Sequence, residues 1–491
     1  MIIRNIHKFF VACLLCCGVA TATVAISSCS DSDDSTASRL AILKDGAAVS
    51  QLNFTLASSS QMLAISTDGD WTAETSDTTW CRLQVHAGYG YADSLHNSYT
   101  RVLVAKNEGD ARQATITVKA GSLTQTVIVS QRGMGTDPGD TFMSGFQFVE
   151  NLVLGYNLGN TLDASHDPAT QSWFKPKTVY DWETSWGQPV TTQEILDDIT
   201  SRGFNIVRVP VTWFPHMDSE GNVDEAWMNR VEEVVNYVLN TGSYCILNVQ
   251  HDTGAKDAGR TDNAAWIAAD LDEYPAISPR FKKLWTQIAT RFRDYGDHLL
   301  FEAMNETLNG QRQWNTPNQA SDYEALNRLL QDFVDAVRAT GGNNEYRNLV
   351  INPMGATSKQ EEIDAFQCPL DVHANHLIAS VHSYDPYNFC CDGGEWNHLM
   401  FDSECTAEID SIFQRVEKRF AQELGLPFFF GEFGAIDRKK AMTERIKYAR
   451  YMAAKFKAYG TSGLWWMGLY DREEMEWDEE EIADALFNSI K

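Results

Sequence analysis

Two glutamates, Glu306 and Glu432, stand where short apolar runs end. Leu299-Leu300-Phe301-Glu302-Ala303-Met304 leads into Asn305-Glu306, and Pro427-Phe428-Phe429-Phe430-Gly431 leads into Glu432. A carboxyl pair of this kind can work on an acetal. One carboxylic acid protonates the leaving oxygen, and the other attacks the anomeric carbon or activates a water. A separation of roughly 5–5.5 Å implies direct attack with retention, and one of roughly 6.5–9.5 Å leaves room for water and implies inversion. Other run ends carry polar or aromatic groups too: Arg208, Gln250-His251-Asp252, His382-Ser383-Tyr384 and Trp465-Trp466. Each alone reads as a helix cap or a solvated loop. Together they call for a common cause.

That cause is an element pattern. Apolar runs at 153–158, 205–210, 244–249, 299–304, 349–352, 377–382, 427–432 and 463–466 alternate with amphipathic stretches such as 228–239, 323–337, 408–424 and 442–456. Eight such βα units over residues 142–491 predict an α/β fold, a closed parallel (β/α)8 barrel (a TIM barrel). An open doubly wound sheet would want a Gly-rich phosphate loop after an early strand, and the sequence has none. The C-terminal ends of barrel strands build the active site. The fourth and seventh strands lie nearly opposite in the ring, so Glu306 and Glu432 can flank one bond.

Residues 37–133 differ. They are rich in Thr, Ser and Val and alternate with a period near two, with strands expected at 51–56, 62–65, 82–85, 101–104, 114–118 and 125–129. Many short strands in so short a stretch predict a small all-β, immunoglobulin-like sandwich. Residues 134–141, rich in Gly, Pro and Asp, read as a linker. At the other end of this region, residues 1–28 carry Arg4 and Lys8 before an apolar run at 9–19 too short to span a bilayer, the pattern of an export signal.

Charge narrows the partner. Asp and Glu number 67 against 40 Lys and Arg, a net −27. That excess disfavours nucleic acid and an anionic membrane surface, and leaves a neutral substrate as the best fit. The 14 Trp and 17 Tyr suit sugar stacking. Cys81, Cys245, Cys368, Cys390, Cys391 and Cys405 show no C-x2-C pair, so a zinc site is not expected. A disulfide among Cys368, Cys390, Cys391 and Cys405, or buried thiols, both fit. Asp371, His373 and His376 read as a loop before a strand rather than metal ligands.

Three resemblances sharpen these readings. Ile26-Ser27-Ser28-Cys29 resembles the bacterial lipobox, and Ser30-Asp31-Ser32-Asp33-Asp34 resembles the acidic tract of surface-exposed lipoproteins. They imply lipidation at Cys29, a tether over 29–36, and a cell-surface lipoprotein of a Gram-negative outer membrane. Gly69-Asp70-Trp71, read as a turn, with Trp80-Cys81 and Ser130-Gln131-Arg132-Gly133, resembles the BACON family (Bacteroidetes-associated, carbohydrate-binding, often N-terminal). The family name implies sugar binding. With no evident row of exposed aromatics, a spacer role is expected.

Arg208-Val209-Pro210-Val211-Thr212-Trp213, Asn305-Glu306, His382-Ser383-Tyr384 and Gly431-Glu432-Phe433-Gly434 resemble glycoside hydrolase family 5. Gly155-Tyr156-Asn157-Leu158-Gly159-Asn160-Thr161-Leu162-Asp163 and Glu183-Thr184-Ser185-Trp186-Gly187 resemble its endo-β-1,4-glucanase and xyloglucanase branch. The resemblance implies Glu306 as acid/base, Glu432 as nucleophile, and retention. It implies that Arg208 holds Glu432 ionised, Asn305 grips the sugar 2-hydroxyl, Tyr384 donates to Glu432 beside His382, and Trp466 floors the cleavage point. It also draws His251, Asn160, Asp163, Trp213 and His216 into the cleft.

Two departures from the family pattern stand out: Gln250 where a histidine is usual, and Met467-Gly468-Leu469 after the paired tryptophans. Both bear on substrate positioning. No metal or organic cofactor is implied, and a monomer acting on a β-glucan is expected. A non-catalytic glycan-binding lipoprotein and a mannan- or xylan-specific relative are the alternatives.

Overall fold

The structure, a computed structural model, describes residues 37–490 except 45, 55–58, 93–96, 108, 132–141, 167–170, 257–264, 374, 392–397, 438–439 and 467. The expected export signal, Cys29 with its tether, the linker at 134–141 and Met467 lie outside the described residues.

The N-terminal unit is a two-sheet sandwich. Its strands are β1 (Leu40–Lys44), β2 (Ala47–Ala48), β3 (Gln51–Phe54), β4 (Ser59–Thr67), β5 (Trp71–Thr75), β6 (Cys81–Leu83), β7 (Ala87–Gly88), β8 (Ser98–Val104), β9 (Arg112–Ala120) and β10 (Leu123–Gln131). The sheets run β2-β1-β4-β8-β6 and β3-β10-β9-β5-β7. Alternation explains the packing. Ala114, Ile116 and Val118 of β9 point inward onto Val127 and Val129 of β10, around Trp71 and Trp80. The six expected strands are present. Four more appear, and one corrects a reading: Trp71 opens β5, with Trp71 and Ala73 inward and Thr72 and Glu74 outward, rather than closing a turn.

One residue of this sandwich breaks its own pattern. Arg101 lies on the solvent face of β8 with Tyr99 and Leu103, yet is only 5% exposed. The second unit covers it. Its guanidinium donates to the Glu423 carbonyl, at the C-terminal end of the wide helical turn Glu417–Leu424. Carbonyls there lack helical partners, and a cation is favoured. Gly425 follows in the left-handed region at φ 66°, and any Cβ there would strike Arg101. Arg101→Ala is therefore expected to release the sandwich and enlarge the radius of gyration measured by solution scattering. An unchanged value would contradict a docking role.

The second unit is a closed barrel of eight strands in sequence order. These are β11 (Gly155–Asn157), β12 (Ile206–Val209), β13 (Tyr244–Asn248), β14 (Leu299–Glu302), β15 (Leu349–Ile351), β16 (Leu377–Ser383), β17 (Phe428–Phe433) and β18 (Gly463–Trp466). Every neighbouring pair is parallel. Strands buried on both faces read as continuous apolar runs, which is why all eight are legible in the sequence. Their outer faces pack on helices such as Glu225–Asn240, whose Val231, Val234, Val235 and Val238 form one stripe.

Inside the barrel the period of two stacks layers. The lower layer is apolar: Ile206, Ile246, Leu300, Val350, Ile378, Phe429 and Leu464, closed below by Phe148 of the helix Gly145–Asn151. Two residues further along, the inward positions turn polar: Arg208, Asn248, Glu302 and Asn352.

The seventh strand needs a further device. Phe428 and Phe430 belong to the outer core and Phe429 to the inner one, so strict alternation would send Glu432 outward. A bulge intervenes. Val381 pairs with Phe430, but His382 pairs with Glu432, leaving Gly431 as the extra residue. Such a bulge re-aims the side chains after it. Phe433 returns to the outer core and Glu432 meets Arg208 inside the barrel.

Of the two readings open for the loop cysteines, Cys390 and Cys405 follow the second: both are buried free thiols. Asp371 is ion-paired with Arg338 at 2.6 Å, in keeping with a non-metal loop.

Candidate active site

Arg208 is the hub of the polar layer. It is fully buried and donates to four side chains. Nε donates to Glu302 Oε2 at 2.6 Å, Nη1 to Glu432 Oε1 at 2.9 Å and Asn157 Oδ1 at 3.1 Å, and Nη2 to Asn305 Oδ1 at 2.9 Å. Tyr384 Oη donates to the other oxygen of Glu432 at 2.7 Å. Both oxygens of Glu432 thus receive a hydrogen bond, which fixes the direction of its carboxyl group. Burial, and then the Glu432 charge, push the Tyr384 hydroxyl well above its usual pKa, so it stays a donor.

Glu306 faces the same point from the fourth strand's end. Its Oε1 lies 2.8 Å from His382 Nδ1, which is 3.6 Å from Glu432 Oε2. One oxygen of each glutamate and a His382 nitrogen all lie within 4.8 Å of one another. The two carboxyls are not equivalent: the side chain of Glu306 is 24% exposed and that of Glu432 is 6%. Burial opposes protonation of His382, but the charges of Glu432 and Glu306 outweigh it, and its pKa rises above the usual value. These three donors are close enough to hold a cation, yet Arg208 already brings a positive charge to this cluster.

The remaining expected residues divide. Asn305 spends Oδ1 on Arg208, which leaves its amide nitrogen as the donor it can offer. Trp466 lies against Gly159, where a Cβ would come within 2.8 Å of the ring. Asn160 (φ 60°) shares a hollow of about 370 Å³ with Trp466 and Tyr384. His251 Nε2 lies 3.7 Å from Asp163 Oδ2. Asp163 itself is fully buried, and its Oδ1 accepts from the Thr161 N–H at 2.7 Å.

Two assignments need correction. Trp213 is fully buried, its indole donating to the Asn248 carbonyl at 2.9 Å, so it is core and not cleft. His216 stacks on Trp227 at 3.5 Å, and burial drives its pKa down to about 3. It lines a separate groove with Lys177, Trp182 and Asp224. Both follow β12 closely, and that segment turns into the helix packing instead of along the mouth.

Sequence reasoning missed Glu302, Asn157, Asn248 and Asn352. Glu302 is fully buried and accepts from Arg208, from Asn248 Nδ2 at 3.1 Å and from Asn352 Nδ2 at 3.2 Å. A usable signal existed: a charged residue inside an apolar strand, two places after inward Leu300. The unusual Gln250 joins this network, its Oε1 accepting from Asn248 Nδ2 at 2.6 Å.

Comparison with known proteins assigns both units to families. Residues 163–470 match the cellulase family (glycosyl hydrolase family 5), and residues 69–132 match the BACON family, a putative N-terminal binding domain. A cellulase/esterase of Acetivibrio thermocellus is 34% identical over 363 residues, covering 70% of this chain but only 40% of that longer protein. Endoglucanase A of Ruminococcus albus is 30% identical over 372 residues, covering 71% of this chain and 93% of that one. A family 5 enzyme of Prevotella bryantii B14, solved as a Glu-to-Ala point mutant with a xyloglucan tetradecasaccharide, is 42% identical with a TM-score of 0.65. The alignment covers 72% of this chain and all of that one. The matched span contains both glutamates, Arg208, Tyr384 and Trp466, and on this match the chain belongs to glycoside hydrolase family 5.

Proposed function

We propose that the chain is a retaining endo-β-1,4-glucanase acting on cellulose-like, mixed-linkage or xyloglucan chains. The observation that carries the reading is the Glu306–Glu432 pair: oxygens within 4.8 Å, on opposite sides of the barrel mouth, in unequal surroundings. Oxygens this near one another support the narrower carboxyl spacing of a retaining pair over the wider one of an inverting pair.

In the first step Glu306, in its acid form, gives its proton to the glycosidic oxygen while a Glu432 oxygen attacks the anomeric carbon. The C–O bond to the leaving sugar breaks and a glycosyl–Glu432 ester forms. In the second step Glu306, now a carboxylate, takes a proton from water, and the water oxygen displaces Glu432. Two inversions give net retention. The greater exposure of Glu306 suits the group that must meet water. Arg208 and Tyr384 hold Glu432 in line and stabilise it as it leaves. Asn305 is aimed to donate to the sugar 2-hydroxyl, a contact that strengthens in the transition state. Trp466 supplies a stacking face.

Substrate class rests on relatives. The Ruminococcus albus protein is an endoglucanase, and the Prevotella bryantii enzyme was solved with xyloglucan. Parallel digestion of carboxymethyl cellulose, barley glucan, xyloglucan and mannan, with the product anomer followed by proton NMR, tests the reading. Internal cleavage of a glucan with initial β-anomer release is expected. Initial α-anomer release, or cleavage of mannan alone, would overturn it.

Anchoring at Cys29 belongs to the same proposal. No helix among the described residues is long and apolar enough to cross a membrane, and the lipobox-like motif supports acyl chains as the anchor. Cys29→Ala is expected to move the protein to the soluble fraction. Continued sedimentation with membranes would contradict the anchor.

A further inference from the structure

Arg208 faces two carboxylates with one charge. Its contact to Glu302 is 2.6 Å, with both side chains fully buried, and its contact to Glu432 is 2.9 Å. The cation therefore sits nearer the glutamate that cannot reach a substrate. We propose that Glu302 is a positioning residue: it fixes Arg208 through Nε and shares its charge, so that Glu432 is held in line yet remains a strong enough nucleophile. This rests on the reading of Glu432 as the nucleophile.

The geometry separates the two parts of the role. A guanidinium is a rigid planar fork, so holding Nε sets the direction of Nη1 and Nη2. Here those two nitrogens meet Glu432 and Asn305. The only charged group contacting Glu302 among the described residues is Arg208; its other partners, Asn248 and Asn352, are neutral amides. Glu432 faces Arg208 from β12, His382 from β16, and Tyr384 and Glu306 from the loops after β16 and β14. Removing the Glu302 charge leaves Arg208 to act on Glu432 alone and takes away a neighbouring negative charge. Both changes favour ionised Glu432, so the acidic limb of activity should move to lower pH.

Glu302→Gln is a fair probe because its amide can be accommodated. Gln Oε1 can still accept from Arg208 and Asn248, and Asn352, whose Oδ1 has no partner, can turn over to accept from the new amide. Glu302→Asp keeps the charge but shortens the reach.

The readout is kcat/KM against pH on 2,4-dinitrophenyl β-cellobioside, whose leaving group needs no proton, so the acidic limb reports the nucleophile. For Glu302→Gln the limb is expected to fall by about one pH unit, with a loss of about tenfold at the plateau. For Glu302→Asp the plateau is expected to fall by about tenfold as Arg208 loses its anchor, with the limb unmoved. An unmoved limb in Glu302→Gln, with melting temperature preserved, would overturn charge sharing. A moved limb or an unchanged plateau in Glu302→Asp would also overturn the inference, and this variant decides alone if the first does not fold. A wild type that cleaves neither this glycoside nor any β-glucan would refute the hydrolase reading instead.

Discussion

Glu432→Gln is expected to abolish turnover on soluble β-glucan, by about four orders of magnitude or more, without unfolding the protein. The amide fits the same space. Its oxygen can accept from Arg208 Nη1, and its nitrogen can donate to Tyr384 Oη, which loses only its present role as donor. What disappears is the electron pair that forms the glycosyl ester. Glu306→Gln is expected to lose as much on polysaccharide, where the leaving group must be protonated. On a dinitrophenyl glycoside it should still release a first equivalent of phenolate and then stall, because only water activation is missing. Glu432→Gln should release none. Burst kinetics distinguish the two, and equal behaviour would contradict the division of roles.

The second large effect concerns Arg208. Arg208→Met keeps volume but leaves Glu302 and Glu432 without their cation. Breaking a buried pair by removing one partner costs about 3–5 kcal/mol. The loss should shrink as pH falls, because protonation neutralises the stranded carboxyls and removes the penalty. Thermal unfolding of mutant and wild type at pH 5 and pH 8 measures this, and the gap should be wider at pH 8. A gap independent of pH would mean that Arg208 acts by packing alone.

The parts of this arrangement differ in how openly the sequence carries them. Barrel strands such as Leu299-Leu300-Phe301-Glu302 announce themselves because burial on both faces makes them apolar throughout. Glu306 follows its strand and needs no parity argument. Glu432 is found by its position at a strand end, but period-two alternation would aim it at the helices, and only the Gly431 bulge turns it inward. A bulge is a property of the pair of strands, so one strand's sequence does not reveal it.

Glu302 is easily passed over because it lies within an apolar run and its partners come from β12, from β13 and from the residue that follows β15. Trp213 and His216 are misplaced for the opposite reason. They follow a catalytic strand closely, and only the packing of Trp213 on Asn248 and of His216 on Trp227 tells that the chain turns away. Arg101 is the same lesson across units: a solvent-face residue whose burial needs the Glu423 carbonyl, hundreds of positions away, to be seen.

The most direct test is covalent capture of the nucleophile. Incubation with 2,4-dinitrophenyl 2-deoxy-2-fluoro-β-cellobioside slows both steps but leaves an activated leaving group, so a glycosyl ester should accumulate. Mass spectrometry of a peptic digest is predicted to find a single 2-fluorocellobiosyl adduct on Glu432. An adduct on Glu306 or Glu302, or none while the enzyme releases inverted product from glucan, would contradict the account.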